Sequence, residues 1–124
     1  MGAKPIASHR ELVIWQRAMQ LCIAIYKLTR TFPREEVYGL TSQLRRAGVS
    51  VASNIAQGYG RLSREQYPHF LGIAQGSNLE IQTQLAIARE LSFAQSEEAT
   101  EVEAISFEVG KMLTALLKRL RPIP

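Results

Sequence analysis

The chain has 124 residues, 46% of them hydrophobic and 21% charged, a balance that fits one globular domain and is too apolar for a disordered chain. Cys22 is the only cysteine, which excludes an intramolecular disulfide and a cysteine-rich zinc site and favours a reducing compartment, the cytoplasm. All 11 acids are glutamate; residues 1–64 carry 10 Lys/Arg against 3 Glu and residues 65–124 carry 5 against 8, so the net charge of +4 joins a +7 half to a −3 half.

So basic a first half suits an anionic partner; alternatively, the two halves neutralise each other within the fold or across subunits. The longest uncharged stretches, residues 47–60 and 66–79, have 14 residues each, too short to span a bilayer. The start, Met1-Gly2-Ala3-Lys4-Pro5, has no apolar h-region of a secretory signal. Residues 1–9 are expected to be a flexible segment and residues 10–121 the folded domain.

The first predicted helix carries two apolar stripes about 110° apart: Leu12, Trp15, Met19, Cys22 and Tyr26 on one, Ile14, Ala18, Leu21, Ile25, Leu28 and Phe32 on the other. The combined arc of roughly 160° exceeds what one bundle core needs and points to a second contact, with a neighbouring subunit. Phe32-Pro33 ends this element. A short turn over Arg34-Glu35-Glu36 leads to a second helix from Leu40 to about Tyr59, rich in small residues (Ala47, Gly48, Ser50, Ala52, Ser53, Ala56), with Gly58-Tyr59-Gly60 as its stop. Gly48 costs about 1 kcal/mol of helix propensity, which tight packing against a bulky neighbour would offset.

Ser63-Arg64-Glu65-Gln66 reads as a capping box for a third helix reaching about Ser92. Pro68 predicts a kink or a start delayed to Tyr67, and Gly72 and Gly76 point to another close helix contact. Ser96 caps a fourth helix whose core stripe is Val102, Ile105, Val109, Met112, Leu116 and Leu120, with Pro122 as its stop. Four helices with short connections and no strand signal predict an all-α, single-domain fold, an antiparallel up-down-up-down four-helix bundle.

Several segments together resemble a known family: Trp15-Gln16-Arg17-Ala18, Phe32-Pro33, Glu36-Val37-Tyr38-Gly39-Leu40, Gln43-Leu44-Arg45-Arg46-Ala47, Ser53 to Arg61, Phe70 to Ala74, Gly76-Ser77, Glu80 and Thr83-Gln84-Leu85. The resemblance, over about residues 10–120, is to the four-helix-bundle proteins related to the 23S rRNA intervening sequence protein (S23-like). The departures are Gln57, where the family usually carries glutamate, and Pro68. The resemblance implies a ring-like homopentamer without established catalytic activity. It extends to the accessory variability determinant of diversity-generating retroelements, which implies RNA or DNA, and a reverse transcriptase, as partners.

Arg45, Arg46, Arg61 and Arg64 are candidate phosphate ligands, with Arg17 extending the patch and Tyr59 available to stack on a base. Against this, the arginines serve as a solvated face or pair with glutamates, and Tyr59 plugs the bundle end. Asn54, with Gln43, Glu80 and Gln84, reads as a structural polar network. Catalysis finds no support: His9 and His69 are 60 residues apart, no metal-ligand spacing or phosphate loop exists, and Gly58-x-Gly60 lacks the strand and third glycine of a dinucleotide fingerprint. Cys22, on an apolar stripe, reads as inert. No cofactor and no membrane is expected. Two functions remain open: a nucleic-acid-binding oligomer and a protein-interaction scaffold.

Overall fold

The computed structural model describes His9, residues 12–61 and residues 65–120; of Arg61 it describes the backbone alone. Four helices follow in order: α1 (Val13–Thr29), α2 (Leu40–Arg61), α3 (Gln66–Glu90) and α4 (Glu97–Arg119), with a 3-10 turn, Arg34–Tyr38, before α2. Each helix packs against two neighbours, α1 and α3 both lying between α2 and α4, and no diagonal pair touches among the described residues. The cross-helix pairs run antiparallel: residue 25 meets 48, 50 meets 77, and 78 meets 106. This is the up-down-up-down bundle expected from the sequence. No described helix is long and apolar enough to cross a membrane.

Only one of the two stripes of α1 is core. Ile14, Ala18, Leu21, Ile25, Leu28 and, beyond the helix, Phe32 are buried, whereas Met19 and Tyr26 are exposed and Leu12, Trp15 and Cys22 half-buried. The core is completed by Leu44, Val51 and Ile55 of α2, Leu71, Ile81 and Leu85 of α3, and Val102, Val109 and Leu113 of α4. Met112, Leu116 and Leu120 lie at its edge, less buried than their stripe predicts.

The entry to α2 explains the Glu36-to-Leu40 segment. The Glu36 carboxylate accepts the Leu40 amide at 3.0 Å, placing a negative charge on the helix N-terminus. A Cβ on Gly39 would lie 2.7 Å from that carboxylate oxygen, so the glycine makes room for the cap. At the other end, Gly58-Tyr59-Gly60 does not stop α2, which continues through Arg61. A Cβ on Gly58 would come within 3.0 Å of Phe70 and Tyr67, so this glycine serves the close approach of α3 instead.

α3 begins at Gln66 with no side-chain cap from Glu65; the predicted capping serine, Ser63, lies outside the described residues, as do Arg64 and Pro122. Pro68 therefore falls in the first turn, where its missing N–H costs nothing. The close contact expected at Gly72 and Gly76 is absent among the described residues: a Cβ on either meets none of them within 4 Å. α3 closes with Ser92 in the left-handed region (φ 64°) and the Phe93 amide donating back to the Ala88 carbonyl at 2.8 Å, which turns Phe93 onto Phe32. α4 starts after Ser96, whose side chain makes no cap bond, with Glu97 and Glu98 at its positive end.

Candidate nucleic-acid interface

Arg45 and Arg46 stand in the second turn of α2 beside the end of α1. The half-buried Arg45 donates through Nε to Thr29 Oγ1 at 2.8 Å and through a terminal nitrogen to the Tyr26 carbonyl at 3.4 Å, while its guanidinium lies 4.6 Å from the centre of the Tyr26 ring. Thr29 Oγ1 in turn donates to the Ile25 carbonyl at 2.8 Å. Arg45 thus satisfies a carbonyl in the last turn of α1 and puts a positive charge at its negative end. These contacts fix the guanidinium while engaging two of its five N–H donors. Arg46 is exposed, and neither arginine pairs with a carboxylate among the described residues.

Both arginines line a cleft of about 570 Å³ between the 3-10 turn and α2, together with Tyr26, Val37, Val49 and the hydroxyls of Ser42 and Ser53. Arg46 also borders a more polar cleft between α2 and α3, of about 430 Å³, shared with Gln43, Ser50, Ser77, Glu80 and Gln84. The patch is therefore continuous across α2.

The other basic and aromatic candidates fall elsewhere. Arg17 is hydrogen-bonded to Gln20 and to Glu108 of α4, which holds the Glu108 carboxyl below its usual range and raises the guanidinium further. Here the basic and acidic halves neutralise each other. Arg45 and Tyr59 lie fourteen positions apart on α2, roughly 21 Å at about 1.5 Å per residue. Tyr59 packs edge-on against Tyr67 with ring centres 6.2 Å apart, at the bundle end, and burial beside it pushes the Tyr67 hydroxyl up. The Arg61 side chain lies outside the described residues.

The polar candidates divide into two groups. Asn54 donates to the carbonyl and hydroxyl of Ser50, at 2.9 and 3.0 Å, and Ser50 Oγ lies 2.8 Å from Ser77 Oγ. Gln84 donates to Gln43 at 3.4 Å, leaving its own buried carbonyl oxygen without a partner. Asn54 bonds to neither glutamine, and Glu80 is exposed on the cleft wall. The residue pattern did not reveal one buried polar pair: Asn78 donates to the Ser106 carbonyl at 2.9 Å and accepts from its hydroxyl at 2.8 Å, and the half-buried Gln82 donates to that hydroxyl at 3.1 Å. Its signal was an asparagine on the core stripe between Ala74 and Ile81.

Of the remaining groups, His9 meets Trp15 edge-on with ring centres 5.0 Å apart. Cys22 is half-buried at the stripe's margin rather than in the core, and burial pushes its thiol up. No group of three metal-capable side chains occurs among the described residues.

The model of the 23S rRNA-intervening sequence protein family matches residues 10–115. The chain belongs to this family. A crystal structure of a protein of unknown function from the S23 ribosomal protein family of Bacteroides thetaiotaomicron superposes with a TM-score of 0.77 at 20% identity, covering 86% of this chain and 96% of that one. The likeness shows a shared fold. No curated protein matches. Within the family segment Gln43-Leu44-Arg45-Arg46-Ala47, Leu44 and Ala47 are buried, Arg45 is tied to α1, and Arg46 faces outward.

Proposed function

We propose that this S23-like chain is a non-catalytic subunit of a homo-oligomer, a pentamer by resemblance, that binds RNA or DNA through phosphate contacts from the α2 face. The observation that carries the reading is the pairing of Arg45 and Arg46 on one hydroxyl-lined cleft with no carboxylate partner among the described residues. The exposed side chains of Met19 and Ile23 on α1, away from the cleft, support assembly. The lone half-buried cysteine suits a cytoplasmic protein.

Binding of structured RNA and duplex DNA at low salt tests this reading. Affinity is expected to fall steeply with salt, by about 0.7 to 0.9 logarithmic units per phosphate per tenfold salt. Arg46→Gln should weaken binding and flatten the slope, whereas Lys111→Gln on α4 should not. Absence of binding at low salt overturns it. The second reading, a protein-interaction scaffold, is favoured by the α3–α4 groove, where Leu79 and Phe107 are both more than half exposed; a protein partner such as a reverse transcriptase would then bind without nucleic acid.

A further inference from the structure

Resting on the nucleic-acid reading above, we infer that the cleft between the 3-10 turn and α2 is a site for one nucleotide of a single strand, with the phosphate on Arg46 and the base against Tyr26 and Arg45. Three features of the cleft converge on this ligand. Its volume of about 570 Å³, in an open groove, lies within the ~300–1,000 Å³ of small-ligand sites.

Its walls differ in chemistry. Arg46, Ser42 and Ser53 supply N–H and O–H donors suited to phosphate and ribose oxygens, while Tyr26, Val37 and Val49, each 40 to 51% exposed, supply an apolar surface.

The third feature is the stack already in place. Arg45 lies over the Tyr26 ring and is held there from Thr29 and the Tyr26 carbonyl. A guanidinium so fixed, backed by the aromatic ring, is a platform on which a base can stack. In a duplex the bases are stacked on each other and closed to such a platform, so the site selects unpaired nucleotides. In sequence the platform is invisible, since Tyr26 and Arg45 are 19 residues apart and meet only through the antiparallel register of α1 and α2.

Fluorescence anisotropy with a short labelled uridine homopolymer, a duplex of equal length and free uridine monophosphate tests the inference. The single strand should bind about tenfold more tightly than the duplex and far more tightly than the free nucleotide. Tyr26→Leu should weaken single-strand binding about tenfold with the salt slope unchanged, because it removes stacking and no charge; Arg46→Gln should weaken it and lower the slope by about 0.7. Val37→Glu, at an exposed wall position where folding is not at stake, should abolish the preference for the single strand. Equal binding of strand and duplex, with Tyr26→Leu and Val37→Glu silent, overturns the nucleotide site but leaves a basic surface that binds phosphates. Equal affinity for free nucleotide and strand overturns the strand assignment in favour of a small-molecule pocket. Failure of all three probes at low salt overturns the site and the nucleic-acid reading together.

Discussion

The α1–α2 crossing and the outer face of α3 are both built around glycines, yet only the first is packed inside the subunit. A Cβ on Gly48 would lie 3.1 Å from Ile25 Cδ1 and 3.4 Å from Cys22 Cα, whereas Gly72 and Gly76 face open space. A glycine in a helix costs about 1 kcal/mol relative to alanine. At Gly48 the loss is offset where it occurs, by the approach of two backbones. At Gly72 and Gly76 nothing among the described residues offsets it, and the proposed contact between copies is what would.

The largest effect is expected at the packed region. Gly48→Leu inserts a branched side chain against the Cys22 backbone and should destabilise the fold by about 1 to 3 kcal/mol in urea unfolding, despite its better helix propensity. A neutral result would mean that α1 and α2 can separate at no cost, and the distinction between the two regions would fail. The inner face of α3 provides the companion test. Asn78→Leu keeps the branched shape but removes the acceptor of the Ser106 hydroxyl and the donor to its carbonyl, and should cost about 1 to 3 kcal/mol by the same measurement.

Cys22 reports on the crossing from within. Its thiol is pushed up by burial, so in the folded chain it holds its proton to higher pH than in the unfolded chain. The associated stability is present below the ordinary thiol range, about pH 8.5, and is lost as pH rises through the folded value. Alkylation of the native protein should therefore gain speed at higher pH than alkylation in urea. In Gly48→Leu the midpoint should move back toward the unfolded one; identical midpoints in native and unfolded wild-type protein would contradict the burial.

The helices and their order were legible because apolar spacing is a local signal: the buried stripe of α1 was named residue by residue from periodicity alone. The meaning of glycine was not. Gly58 read as a stop and proved a contact with Tyr67 and Phe70, because the same lack of a side chain serves both ends and only the partner's position decides. The candidate site was legible in part. Arg45 and Arg46 stand out as adjacent charges, but that Arg45 is anchored to α1 while Arg46 is free, and that Arg17 is neutralised by Glu108, depend on cross-helix register. So does the arrival of Tyr26 beside the arginines, which supplies the aromatic neighbour that the linear sequence lacks.

The smallest effect is the sharpest for the open face. Gly72→Ala adds a methyl group that meets nothing within 4 Å and removes the backbone freedom that glycine has when unfolded. Were α3 fully solvated on that side, the variant should be more stable by about 0.5 to 1 kcal/mol, with its sedimentation unchanged. Were that face a contact between copies, the same methyl group would intrude on it, the gain would shrink or reverse, and sedimentation equilibrium would show a smaller assembly. We expect the second outcome, since the exposed Met19 and Ile23 of α1 and the open glycines of α3 are unexplained by packing among the described residues. A stabilised variant of unaltered mass would place any contact between copies elsewhere, at Met19 and Ile23 of α1.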